Sequence, residues 1–563
     1  MTRKLVLVAT LCSLASLCTA IDNGLGGTPP MAWRSWNQFG ATITQEIIQS
    51  QVDAISARNR TVDGKLTSLL EFGYTTVGID EGWEGCGEGV NGTQHDAQGF
   101  PVINKKFPDM KALVQHAQAK GVKMGWYLNG CACGERKAVH ANYVGDVAKL
   151  HDFGFDAVKL DSCGAQENLT LYAQLMNETG KAYVIENCHQ GANPPTRVPG
   201  PYSASGFCPF NFWRTSTDIS GSWQSIYNNA MTNVENARGT AAGRPGCWAY
   251  PDMLEVGGPG LSPEESRTHF GMWVIMSSPL VLGFDLRDQK VLDSVWETIT
   301  NKEAIAVNHA WHGSAGNLTK SWPVPTGRRP EIKSEVCDGG SNQTGWSFRK
   351  NETGRSGQIV FTSHISGAEL CVDMRDATGP GNGHYLGLRP CEPGQINQFF
   401  IHNLTDAGRK TLVRVVDTRY CLVTWECNLP TVTTWACDST TSCGNDFTFS
   451  ADGTLKTPDS TTCSVQGNCT RCMTLGSATC KDCTMNQIWT KPLGEGALAV
   501  LVVNGDAHNN QTMTLDFADL PAVAGPQHVR DVWAKSDLGV HAGSVSATLK
   551  PHDSMFLVLT TGK

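Results

Sequence analysis

Between about Gly24 and His312 short apolar runs alternate with segments of helical spacing, and this alternation restricts the fold more than any other feature of the chain. Seven runs read as strands: Tyr74–Asp80, Val122–Asn129, Phe155–Asp161, Ala182–Cys188, Phe212–Ile219, Cys247–Met253 and Leu280–Leu286. "MAWRSWNQF", from Met31, supplies another. Segments such as "PDMKALVQHAQAKG" carry apolar residues at helical spacing and close on glycine. Roughly eight β/α units in under about 300 residues predict an α/β fold, a (β/α)8 TIM barrel. The alternative, a doubly wound open sheet, would usually show a glycine-rich phosphate turn after its first strand, and none is visible.

Asp80, Asp161, Asp218, Asp252 and Asp285 stand at or just beyond the C-terminal ends of these runs. A barrel gathers its active site at that face. One such Asp is most often a helix N-cap. Five at equivalent positions favour a shared pocket, even with one or two serving as caps.

In "FDAVKLDSCG" alternation puts Lys159 and Asp161 on one face of a strand end. The ammonium favours the ionised carboxylate and is expected to depress its pKa, which suits a nucleophile rather than an acid. The plainer reading is an ion pair lining the barrel. A second carboxylate tips the balance, for in "WRTSTDIS" Arg214 precedes Asp218 by four residues at another strand end. Two carboxylates facing each other across a pocket are the equipment of glycoside hydrolysis. At about 5 Å apart, one attacks the anomeric carbon and the other protonates the leaving oxygen. Asp218 must then hold its proton at working pH, through burial or the nearness of Asp161. Sugar hydroxyls want further carboxylates and a flat aromatic face. "DEGW" offers Asp80 and Glu81, and Trp36, Tyr127 and Trp83 are the aromatic candidates, with Trp36 and Tyr127 preferred.

The net charge of −8 and the lack of any Lys/Arg cluster exclude a nucleic-acid partner. Residues 1–20, "MTRKLVLVATLCSLASLCTA", have the basic start, apolar stretch and small-x-Ala end of a secretory signal cleaved before Ile21. As a membrane anchor the run is too short, and no other stretch approaches the roughly 20 apolar residues of a spanning helix. The expected destination is extracellular, vacuolar or lysosomal, with no membrane partner. Asn-x-Ser/Thr sequons recur, as at Asn59, Asn91, Asn168 and Asn177, and cysteines are dense. Both fit an oxidising compartment with disulfides. A zinc reading of "CTRC" and "CKDC" (Cys469–Cys472, Cys480–Cys483) ranks below the disulfide reading.

After His312 helical periodicity disappears and Pro, Thr, Gly and Cys rise. The expected domains are the signal at 1–20, a catalytic barrel at 21–312, a cysteine-rich all-β insertion at 313–487 and an antiparallel β-sandwich at 488–563. The insertion carries a weak threefold repeat. Each copy has cysteines near a strand and an Asn/Asp/Gln-aromatic close: "NQFF" (Asn397–Phe400), "NDFTF" (Asn445–Phe449) and "NQIW" (Asn486–Trp489). The pattern resembles a ricin-type β-trefoil, in which Asp373 would be the sugar contact. A disulfide-stapled insertion without a ligand carries equal weight.

"TPPMAWRSWNQFG", "GIDEGW", "VKLDSCG" and "YPDMLEVG…LSPEESRTHFGMWVIMSSPLVLGFDL" together resemble the α-galactosidases of glycoside hydrolase family 27, across most of residues 27–288. "QIWTKPLGEGALAVLVVNG" resembles the start of that family's C-terminal sandwich, so the third repeat's close can belong to the sandwich. The resemblance implies a retaining α-galactosidase with Asp161 as nucleophile and Asp218 as acid/base, and no metal or organic cofactor. It implies Asp80 and Glu81 as the pair that holds the 4- and 6-hydroxyls, Lys159 and Arg214 as sugar contacts, and Trp36, Tyr127 and Met253 as pocket wall. It pairs Cys163 with Cys131 or Cys133 and Cys188 with Cys208, leaving Cys247 a free buried thiol. Two departures stand out. The family often has Asp-Asp where this chain has Asp80-Glu81. Where the family reads the 2-hydroxyl with Glu then Trp, this chain has His189 and Gln190. The rivals are an α-N-acetylgalactosaminidase, then a pentopyranosidase, and an inactive carbohydrate-binding protein. Expected partners are galactose-containing oligosaccharides, polysaccharides or glycoconjugates, and the chain is compatible with a homodimer.

Overall fold

A computed structural model describes residues 23–131, 133–195, 208–237, 243–322 and, apart from 522, 484–561, together with most strands of 324–475. Eight parallel strands form the first sheet: β1 (Met31–Arg34), β2 (Thr76–Gly78), β3 (Lys123–Leu128), β4 (Ala157–Asp161), β5 (Val184–Cys188), β6 (Phe212–Arg214), β7 (Trp248–Tyr250) and β8 (Leu280–Leu282). They are hydrogen-bonded in the order β8-β1-β2-β3-β4-β5-β6-β7. A parallel bridge from Leu254, just past β7, to Leu282 closes the ring. This is the TIM barrel, and each run expected to be a strand contains one, though several are cut to three residues.

The helices are α1 (Gln45–Ser56), α2 (Met110–Ala119), α3 (His140–Phe153), α4 (Leu169–Glu178), α5 (Trp223–Ala237), α6 (Pro263–Ile275), α7 (Gln289–Ile299) and α8 (Lys302–His309). Their starts follow capping chemistry. The side chains of Thr44, Asp109, Asn168 and Asp288 accept from N–H groups of the first turn, and Ser262 and Glu265 form a capping box. Helix α6 opens on an acidic turn but is enclosed almost all round from Ser266 onward, and nine of its residues are buried. A second layer covers it. Arg267 pairs with Asp553, and Thr268 Oγ1 donates to Ser554 Oγ at 2.9 Å.

That layer is the C-terminal sandwich, which shares one compact unit with the barrel. Its main sheet holds β9 (Asn317–Trp322), β10 (Asn486–Gly494), β11 (Ala497–Val503), β13 (Gln527–Asp531), β14 (Ser536–His541) and β16 (Ser554–Thr561). β12 (Gln511–Asp516) pairs with β15 (Ser544–Leu549) as the facing ribbon. Residues 317–322 therefore join the sandwich sheet through β10 rather than the insertion. "NQIW" lies in β10, so the third repeat of the insertion loses its closing motif to the sandwich.

The second compact unit spans Pro323–Met485 with Gly505–Ala507. Its described strands pair antiparallel around a core that includes Trp346, Ile359, Phe361, Val372, Phe400 and Leu422. Cys371 and Cys391 form a disulfide inside it. Asp373 has a fully buried side chain that accepts from Gln398 Nε2 at 2.7 Å and lies 3.9 Å from Arg389. It offers solvent no carboxylate oxygen, so it does not fit the role of a sugar contact.

Candidate active site

The pleat sends every second side chain of each strand into the barrel. At the C-terminal ends this brings in Arg34 of β1, Tyr127 of β3, Lys159 and Asp161 of β4, Glu186 and Cys188 of β5, and Arg214 of β6. Asp80, two residues past β2, and Asp252, two past β7, extend the same inward rows. In register, Lys159 pairs with Glu186 and Asp161 with Cys188.

Lys159 Nζ donates to Asp80 Oδ2 at 2.8 Å and lies 4.0 Å from Asp161 Oδ2. It also sits 5.0 Å above the Tyr127 ring. Tyr127 Oη donates to Asp161 Oδ2 at 3.0 Å, and the backbone N–H of Ser162 donates to Asp161 Oδ1 at 2.7 Å. Asp161 thus has both oxygens held while its side chain stays partly open, 15% exposed. Burial raises the Asp161 pKa, and Lys159 and Tyr127 only partly oppose it. The expected depression by Lys159 is thereby corrected, because the ammonium is turned to Asp80. At Asp80 burial is outweighed by Lys159 and Arg34, and its pKa is lowered. Lys159, paired with Asp80, stays charged in spite of its burial.

Arg214 occupies the other side. Its Nη2 reaches Asp218 at 3.0 Å and Asp252 at 2.9 Å, and its Nη1 donates to Cys188 Sγ at 3.4 Å. Asp252 is fixed further by the N–H groups of Ile219 and Met253, at a φ of +85°. Asp218 is 62% exposed and so open to solvent. Asp161 and Arg214 end strands that flank β5, about 10 Å apart in backbone. Their charges meet at Cys188, which lies within electrostatic reach of Lys159, Arg214 and Asp161.

The remaining candidates distribute as follows. Trp36 is 37% exposed, and Met253 is buried beside Gly283. Glu81 is buried next to Asp80. Trp83 is core, donating to the Tyr127 carbonyl and packing on Trp126. His189 is buried and pushed down to about 4 by that burial. Its Nδ1 accepts from Asn193 at 2.9 Å, which leaves the proton on Nε2, on the side of the Asp161 backbone. Asp285 is held by Gln51 and Arg287 and belongs to the loop after β8.

The cysteines correct the expectation. Cys163 pairs with Cys131, Cys133 pairs with Cys86, and Cys208 pairs with Cys247, leaving Cys188 free and buried. Strands β5 and β6 are parallel with Glu186 opposite Phe212, which sets Cys188 level with Arg214. Cys208 lies six residues earlier, before the start of β6 and so toward the other end of the barrel, where it meets Cys247. Burial pushes the Cys188 thiol up to about 12.

Three buried charged groups here were not anticipated. Arg34 and Glu186 form an ion pair, with Arg34 Nη1 3.8 Å from Asp80. Glu84 is pushed up to about 8 by burial. The signal for Glu186 was present in "VIENC", where it shares the inward row of Cys188.

A TIM barrel whose strand ends gather carboxylates and cations in this way, followed by an antiparallel sandwich, defines a glycoside hydrolase of the melibiase type. Residues 28–310 match the family described as alpha galactosidase A, and 485–559 match the alpha galactosidase C-terminal beta sandwich domain. An α-galactosidase of Oryza sativa subsp. japonica is 33% identical over 312 residues, covering 54% of this chain and 68% of that one. An α-N-acetylgalactosaminidase of Gallus gallus is 31% identical over 311 residues, covering 51% and 72%. The crystal structure of α-galactosidase I from Mortierella vinacea shares the fold with a TM-score of 0.56 at 18% identity, covering 96% of this chain and 98% of that one. The chain belongs to the α-galactosidase A family, glycoside hydrolase family 27.

Proposed function

We propose that the chain is a retaining α-galactosidase that removes terminal α-D-galactosyl residues by double displacement, with Asp161 as nucleophile and Asp218 as acid/base. The observation that carries the reading is that the strand ends on either side of β5 each hold an aspartate by a donor, Asp161 by Tyr127 and the Ser162 N–H, and Asp218 by Arg214. Tyr127 and the Ser162 N–H orient Asp161 for attack on the anomeric carbon. The exposed Asp218 is shielded when a sugar fills the pocket, and the leaving oxygen then takes its proton. Asp80 and Glu81 bind sugar hydroxyls, Lys159 and Arg214 fix the carboxylates, and Trp36, Tyr127 and Met253 form walls. Substrates are galactose-containing oligosaccharides or glycoconjugates.

A second reading, α-N-acetylgalactosaminidase, is favoured by His189. Its Nε2–H is a donor, and a donor suits an acetamido carbonyl as well as a hydroxyl. Comparing release of p-nitrophenol from the α-galactoside and its 2-acetamido analogue decides between the two. Failure on both would remove the enzyme reading. A secretory destination, extracellular, vacuolar or lysosomal, is supported by the disulfides, and among the described residues no helix is long and apolar enough to cross a membrane.

A further inference from the structure

We infer that Arg34 and Glu186 form a cross-barrel positioning pair that holds Asp80 and Lys159 in place beneath the nucleophile. The inference rests on the activity proposed above. Strands β1 and β5 are four places apart in a ring of eight, so they lie on opposite sides of the barrel. Arg34 Nη2 donates across that interior to Glu186 Oε2. Both residues are buried, at 8% and 2% exposure. Gly78 of β2 lies alongside the crossing, where a Cβ would stand in ordinary contact with Arg34 Cζ at 3.5 Å.

The pair is linked upward to the site. Asp80 Oδ2 accepts from Lys159 and lies 3.8 Å from Arg34 Nη1, so two cations share one carboxylate oxygen. Glu186 in turn lies within electrostatic reach of Arg34, Lys159 and Arg214. Apolar residues of like volume would hold a barrel core at least as well as a buried ion pair. The charges therefore act on their neighbours. Glu186 draws Arg34 away from Asp80, so Asp80 remains bound to Lys159, and Lys159 remains within 4.0 Å of Asp161.

The test is a double variant, Arg34→Met with Glu186→Leu, which removes both charges and conserves volume. It is expected to melt within a few degrees of the wild-type chain. Its kcat/KM on p-nitrophenyl α-galactoside should fall about 10- to 100-fold through misplacement of the sugar-binding groups, with KM raised as well as kcat lowered. The acid limb of its pH profile, set by Asp161, should move toward neutrality, because Asp80 without Arg34 holds Lys159 more firmly and leaves Asp161 less of its charge. Asp80 then loses the Arg34 cation, while Lys159 and Asp161 of β4, Tyr127 of β3, and Glu81 and Glu84 of its own loop still face it. Glu186→Gln alone should displace the limb the opposite way, because Arg34 then turns to Asp80. A folded double variant with wild-type kinetics and profile would overturn the inference. Should the double variant fail to fold, an unshifted limb in Glu186→Gln does the same. A wild-type chain without galactosidase turnover would remove the activity reading and this inference with it.

Discussion

Replacing Lys491 by methionine isolates one buried charge at the junction of barrel and sandwich. Lys491 has no exposed surface, and its Nζ donates to the carbonyls of Val307 and Asn308 in the last turn of α8, the latter at 2.8 Å. The negative end of the helix dipole favours a cation there, but no carboxylate accompanies it in its hydrogen bonds. Burial pushes the ammonium from its ordinary 10.5 down to about 7. A folded-state pKa below the unfolded one means that the unfolded chain binds more protons between those values, so stability rises with pH across that window. The penalty is full below about pH 7 and fades as pH climbs toward 10.5. A gap of about 3.5 pH units at about 1.4 kcal/mol per unit is worth about 5 kcal/mol. Over the accessible range from pH 7 to 9 the difference is about 2 kcal/mol, or a few degrees in melting temperature. Methionine keeps the stem and abolishes the titration, at the cost of two carbonyls left without a donor, about 1–3 kcal/mol each. That cost does not depend on pH, so the informative quantity is the difference in melting temperature between variant and wild type at each pH. The variant should gain on the wild type as pH falls from 9 to 7. Parallel curves would refute the assignment of a neutralised lysine.

Other outcomes follow from single contacts. His95 is clamped between Glu135 at 2.6 Å and Asp146 at 3.0 Å and is held at about 9. Its raised pKa stabilises the fold fully below about 6.5, and this contribution of about 3 kcal/mol is lost as pH rises through 9; amide protection factors in residues 84–103, corrected for the intrinsic base-catalysed rate, should fall over that range in the wild type and not in His95→Gln. Cys208→Ser removes a link across a sequence separation of 39 and should cost about 4 kcal/mol, whereas Cys188→Ser should leave the disulfide map unchanged. Non-reducing peptide mapping that joins Cys188 to Cys208 would contradict this pairing.

The barrel was legible because its strands are bounded apolar runs that alternate with capped helices, signals local to each segment. The site was legible in part for the same reason. Alternation alone places Lys159 with Asp161 and Glu186 with Cys188. What a strand meets across the barrel is set by ring order, which no local pattern encodes, so the partner of Arg34 was hidden. The pairing of Cys208 with Cys247 was hidden likewise, since it depends on which ends of two parallel strands lie level. Asp161 next to Lys159 suggested a depressed carboxyl. In the fold the ammonium is committed to Asp80, which leaves burial to dominate at Asp161.

The central claim is that Asp161 attacks the anomeric carbon. The most direct measurement is peptide mass mapping after incubation with a fluorinated galactosyl substrate that forms its glycosyl-enzyme quickly and hydrolyses it slowly. One added fluorogalactosyl mass on the peptide that contains Asp161, absent from Asp161→Asn, is the predicted result; a label on any other carboxylate, or turnover by Asp161→Asn at the wild-type rate, would contradict it.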